Sequence, residues 1–302
     1  DDQLQSLNDG LTAERSLHAY SDAEVGEHYV GRVAPVDIVC AGPRVVPLLE
    51  RALETAEGAR QVLLAQLATL VGSKQGVPLL IAAIERDLAA GQLPAREDNV
   101  RHVGLPPNQG GAPATAHLLY TLGLARDRRA LPVWQRVVDL LATSTKEDIF
   151  HRYRSHYYYV SGVCYGTERL GDREAIPILN KLHGYAYLCG QVCRRGFQVD
   201  HLDERLGTLE IMIGRALARC GSPEGLATLI DYLQDVRASL AEHAHRELVA
   251  ITGRDLGKDA SAWYRWLEEA AETLQPVPWL VPTEAMAAWS EAILIEPIED
   301  GR

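Results

Sequence analysis

Residues 168–182 read Glu168-Arg169-Leu170-Gly171-Asp172-Arg173-Glu174-Ala175-Ile176-Pro177-Ile178-Leu179-Asn180-Lys181-Leu182. This is the end of one helix, a turn at Gly171-Asp172 and the start of the next. A small residue such as Gly171 ends a helix where φ > 0 is often needed. Asp172 is placed to cap the following helix by accepting from a free backbone N–H. Ile176, Ile178, Leu179 and Leu182 then recur with helical spacing. Pro177, five residues past the cap, cannot donate an N–H, so a kink is expected there.

The same junction recurs along the chain. Gly72-Ser73-Lys74-Gln75-Gly76-Val77-Pro78 and Arg126-Asp127-Arg128-Arg129-Ala130-Leu131-Pro132 repeat the pattern of Gly171 to Pro177. Gly221-Ser222-Pro223-Glu224-Gly225-Leu226-Ala227 repeats it with Ala in place of the last Pro, and Ala41-Gly42-Pro43-Arg44-Val45-Val46-Pro47 is a looser copy. The anchors at 41, 72, 126, 171 and 221 are spaced by 31, 54, 45 and 50 residues, and a further helix end at Gly253 lies 32 beyond Gly221. The two short steps fit one helix pair each, and the longer ones imply insertions. Periods of this size indicate stacked units that bury apolar faces against their neighbours.

Over roughly residues 41–270, these helix pairs resemble the HEAT-like repeat family, especially its bacterial (PBS-lyase-type) forms. Glu247 to Asp255, followed by Trp263 and Trp266, adds to the likeness. The resemblance implies an all-α fold: a right-handed α-solenoid of αα-hairpin repeats with irregular insertions and a docked C-terminal tail. Residues 1–40 are then N-terminal capping helices, 41–274 the repeats, and 275–302 a C-terminal extension. Insertions fall at 92–113, rich in Pro and Gly, and at 184–206. A long helix is expected from Glu147 towards Leu170. The chain also bears a faint likeness to the helical regions that accompany bacterial FAD-dependent oxidoreductases; it covers no cofactor motif, and no cofactor is expected.

Composition narrows the partners. A net charge of −11 and a pI near 5.4 argue against a nucleic-acid binder, which carries a basic face, and against a polybasic membrane-surface protein. No apolar run approaches the roughly 18 residues of a membrane span. The chain opens Asp-Asp-Gln, without Met or a signal peptide, so either processing removed its start or it is a fragment of a larger protein, and a cytoplasmic and a processed, exported location both stay open. Five Cys is an odd, low count that speaks against a disulfide framework. Cys189 and Cys193 have a C-x3-C spacing that would put them on one helical face. That spacing would allow a disulfide or a metal pair, but no matching second pair exists, and two buried thiols are expected there.

In HEAT-type pairs the helix that ends at the turn lines the concave side, which directs attention to its registers. Six residues before the anchors stand Gln66, Tyr120, Tyr165, Arg215 and Glu247, all polar or amphipathic in otherwise apolar helices. Nine residues before them the row is apolar or small except for His117. On the expected long helix, His151, Arg154, Tyr158 and Tyr165 fall on one stripe. Tyr with His and Arg offers a stacking surface with hydrogen-bonding tips. A solvated helix face shows a similar polar stripe.

Two functions follow. The first is a non-catalytic scaffold or binding module whose concave Tyr/His/Arg face holds a protein partner, an adjoining domain or a ligand, a carbohydrate included, within a larger bacterial enzyme or alone. The second is an α/α-toroid polysaccharide lyase-like enzyme, which also uses helix pairs. There Tyr157 or Tyr158 with His151 or His156 would move the proton while Arg154 and Asn108 neutralise a uronate. No HExxH, P-loop, GxSxG or dinucleotide fingerprint is present. His201-Leu202-Asp203-Glu204 reads as a loop able to chelate, but without a further ligand.

Overall fold

Gly171 closes a helix at φ 56°, and Asp172 accepts a 2.9 Å hydrogen bond from the Glu174 N–H. A single 3-10 turn, Arg173–Ala175, follows, and the next α-helix starts at Ile176. Pro177 therefore sits in the first α-helical turn, where its missing N–H costs nothing. The kink expected at this proline is replaced by that 3-10 entry. The junction at Asp127 is built alike: Asp127 accepts from the Arg129 N–H at 3.0 Å, Arg128–Ala130 form the 3-10 turn, and Pro132 is in the first turn of its helix. Arg126 takes φ 47° at the position Gly171 fills elsewhere.

The structure, a computed structural model, describes residues 42–95, 113–151, 154–196 and 201–279. Among them there is no strand. The helices are α1 (Val46–Thr55), α2 (Gly58–Leu70), α3 (Gly76–Asp87), α4 (Ala114–Leu124), α5 (Leu131–Leu141) and α6 (Lys146–Phe150), then α7 (His156–Leu170), α8 (Ile176–His183), α9 (His201–Arg219), α10 (Pro223–Tyr232), α11 (Ala238–Thr252) and α12 (Ala260–Ala270). The expected N-terminal helices, most of the 92–113 insertion with Asn108, and the tail beyond Trp279 lie outside the described residues.

Each helix that ends at a junction packs on the next of its kind. α2 touches α4, α4 touches α7, α7 touches α9, and α9 touches α11. The intervening helices make a second row in which α3 touches α5, α5 touches α8, and α10 touches α12. Between the rows lies the apolar core. Leu64, Leu80, Leu119, Trp134, Leu179 and Ile213 belong to one cluster, and Ile211, Leu229, Leu248 and Trp263 to another. α9 feeds both, since Ile211 and Ile213 leave the helix on different faces.

Four further expectations change. The helix expected from Glu147 to Leu170 is two helices. Thr145 and Asp148 form a capping box on α6, Arg154 folds back to pair with Asp148, and Ser155 sits at φ 49°, through which an α-helix cannot run. The insertion expected to end at 206 ends earlier, because α9 begins at His201; Asp203 and Glu204 are in its first turn, where acidic side chains favour the helix dipole. Asp203 is engaged there by Lys146 at 2.5 Å, so the chelating loop read at 201–204 does not exist. Cys189 and Cys193 lie beyond the end of α8 rather than on a helix; Cys189 is exposed, Cys193 half-buried, and both are free.

Candidate functional site

Because α4, α7, α9 and α11 lie side by side in register, residues counted back equally from their ends meet. The rings of Tyr120 and Tyr165 are 5.4 Å apart. The Arg215 guanidinium is 5.5 Å from the Tyr165 ring, and its Nη1 donates to Glu247 at 3.2 Å. Tyr120, Tyr165, Arg215 and Glu247 thus form one continuous line across four helices. Gln66 is half-buried at the same register of α2.

A second tier supports the line. Glu168, one turn beyond Tyr165, is fully buried and accepts from Arg215 Nε at 2.7 Å and Nη2 at 3.1 Å. Arg219, one turn beyond Arg215, reaches the other oxygen of Glu247 at 3.4 Å. Burial raises the Glu168 carboxyl more than Arg215 lowers it, leaving it pushed up to about 7. Glu247 is also raised by burial, but His243, Arg215 and Arg219 outweigh that and bring it down to about 2. At neutral pH Glu247 is therefore a fixed negative charge between two guanidinia. The Tyr120 hydroxyl is hydrogen-bonded to Ser161, yet burial holds its phenol well above the usual range.

The chain then lies down on this line. Residues 274–279 cross the ends of α7 and α9: the Val277 N–H donates to the Arg219 carbonyl at 2.8 Å and the Trp279 N–H to the Glu168 carbonyl at 2.9 Å. Guanidinium groups take the segment's own carbonyls, Arg219 at Val277 (3.4 Å), Arg126 at Trp279 (3.3 Å) and Arg173 at Leu274. Trp279 stacks on Tyr165, with centroids 5.7 Å apart and planes inclined by 24°. Arg215, Arg219 and Arg169 lie 4.3, 5.4 and 5.8 Å from its ring. The junction glycines make room, since a Cβ on Gly171 would lie 2.4 Å from Pro278 and one on Gly221 would lie 3.2 Å from Pro276.

No protein-family model, curated protein or solved structure matches the chain.

The other sequence candidates fall elsewhere. His151 and Arg154 are in the connector before α7, so they share no helical stripe with Tyr158 and Tyr165. The Arg154 N–H donates to His151 Nδ1 at 3.3 Å, and the Arg154 guanidinium is held by Asp148. His117 is exposed on α4. His156 Nδ1 is 2.8 Å from the Ser144 hydroxyl, and burial lowers its affinity for a proton. Tyr157 meets Tyr158 edge-on at 5.5 Å and lies under the Arg205 guanidinium; burial pushes its phenol up, away from the value a phenolate base needs.

Glu168, Arg219 and Arg169 do not fall on the register six residues before the helix ends. They stand three or four residues beyond the counted positions, and a second count one turn on would have found them. A separate polar cluster joins His183, Cys189 and Glu210, from α8, the turn after it and α9.

Proposed function

We propose that the chain is a HEAT-like helical-repeat binding module, a right-handed α-solenoid whose row α2-α4-α7-α9-α11 grips an extended peptide segment of a protein partner or adjoining domain. The observation that carries this reading is residues 274–279 lying on the line with Trp279 against Tyr165 and Arg215. The face supplies what an extended chain needs. Helix-end carbonyls accept its N–H groups, guanidinia donate to its carbonyls, and an aromatic ring under a cation receives one large side chain. Main-chain bonds of this kind give affinity without sequence preference, and the aromatic slot gives selectivity. The favoured occupant carries an aromatic residue beside prolines, as in Pro276-Val277-Pro278-Trp279.

The test uses a labelled synthetic peptide of residues 275–281 and fluorescence anisotropy. The Trp279→Ala chain, its slot vacated, should bind the peptide more tightly than the unaltered chain does. Adding Tyr165→Ala to Trp279→Ala should abolish that gain. Failure of Trp279→Ala to bind, or binding indifferent to Tyr165→Ala, would overturn the reading.

A further inference from the structure

We propose that His183, Cys189 and Glu210 form a binding site for a divalent cation of the zinc class. His183 is the last residue of α8, Cys189 closes the turn that follows through its N–H to the Tyr185 carbonyl (3.1 Å), and Glu210 is midway along α9. One ligand atom from each lies within 4.8 Å of the others. An imidazole nitrogen, a thiol sulfur and a carboxylate oxygen together match zinc-class ions, whereas Mg²⁺ and Ca²⁺ select oxygen alone.

The carboxylate is already oriented for the task. Glu210 Oε2 accepts from the Gln191 N–H and the Tyr232 hydroxyl, both at 2.7 Å, and Oε1 accepts from the Gly190 N–H at 2.7 Å. Such outer bonds commonly fix a ligating carboxylate. His183 Nε2 is 3.2 Å from Oε1. With the ring proton on Nε2 this contact is a hydrogen bond; with the proton on Nδ1, both atoms turn lone pairs towards one point, as a cation requires.

Glu210 and His183 are shielded while Cys189 is exposed, so the cluster opens to solvent on its sulfur side. That geometry leaves a fourth position for water. Bonds of about 2.0–2.3 Å place tetrahedral ligands roughly 3.5 Å apart. Closing the cluster therefore asks for about an ångström of movement, which a rotation of Cys189 supplies. On binding, the Cys189 S–H bond breaks, a sulfur–metal bond forms and the proton leaves to solvent, with no change of oxidation state. The ion would fasten the segment after α8 to α9.

Titration of the full chain with Co²⁺ tests the site. The expected result is one ion per chain with a thiolate-to-cobalt charge-transfer band in the near ultraviolet, displaced by Zn²⁺. Cys189→Ser should remove the band, and His183→Ala should weaken binding at least about tenfold, the loss already typical of outer-shell partners. Cys193→Ser, four residues away, should leave band and affinity unchanged. Absence of the band, its persistence in Cys189→Ser, or its equal loss in Cys193→Ser would overturn the proposal. Each substituted side chain is at least partly accessible, and circular dichroism of each variant verifies that the fold is kept.

Discussion

Glu168 and Arg215 form a two-pronged ion pair at 2.7 and 3.1 Å, with side chains 0% and 4% exposed. Two charges so far from water repay their desolvation only together. Above pH 7, where Glu168 carries its charge, Arg215→Ala would strand Glu168 and loosen Glu247, so it is expected to cost about 3–5 kcal/mol. The paired change Glu168→Gln with Arg215→Met should recover much of that loss, because no uncompensated charge is left buried. Urea unfolding midpoints at unchanged slope provide the measurement.

The two carboxylates of this network give opposite pH dependence. Glu247 is held at about 2 against its usual 4.5. The unfolded chain then binds the proton more tightly, so this stabilisation is present above pH 4.5 and is lost as pH falls towards 2. Glu168 is held at about 7, so the folded protein keeps a proton that the unfolded chain releases. Its contribution is full below pH 4.5 and is lost as pH rises to about 7. Unfolding midpoints measured across this range should show Glu247→Gln flattening the acid limb and Glu168→Gln flattening the limb between 4.5 and 7.

α4 and α7 approach so closely that a methyl group does not fit between them. A Cβ on Gly123 would lie 2.6 Å from the Gly166 Cα, and one on Gly166 would lie 2.5 Å from the Trp134 ring. Both obstacles are buried and rigid. Gly166→Ala should therefore destabilise by about 1–3 kcal/mol despite the better helix propensity of Ala. Gly123→Ala, whose Cβ meets the Gly166 Cα, pushes apart the helices that carry Tyr120 and Tyr165, so Trp279 fluorescence should change with it. Unaltered stability in Gly166→Ala would contradict this packing.

Much of the all-helical character was legible because the junctions are local. Glycine and Asp at 171–172, Asp at 127 and the apolar spacing after them act within a few residues, and the structure builds them as one would expect of such residues. The contacts Tyr120–Tyr165–Arg215–Glu247 were also within reach, since packing helices side by side turns an equal count back from their ends into neighbours in space. What counting could not see was set by distant partners. The pairing of Arg154 with Asp148 and the left-handed Ser155 divide a stretch that reads as one helix. Gly171 and Gly221 read as helix terminators, while their lack of a Cβ also admits Pro278 and Pro276 from far along the chain. His183, Cys189 and Glu210 meet only because α8 packs on α9.

Docking of residues 274–279 can be separated from folding of the helices beneath them. Trp279→Ala removes the stack on Tyr165 and the cation contacts of Arg215 and Arg219. These terms are worth roughly 0.5–1.5 kcal/mol for the stack and about 0.5–2 kcal/mol for the cations, so a loss of about 1–3 kcal/mol is expected. Gly171→Ala reaches the same segment from below. Its Cβ would collide with Pro278, and φ 56° is itself strained for Ala. If both substitutions act by lifting this segment, the double variant should lose less than the two single losses combined, because the contacts can be broken only once. Proteolysis within 274–279 should accelerate in each single variant and no further in the double. Strictly additive losses would mean that Gly171 matters only as a helix terminator and that Trp279 holds its place without Pro278.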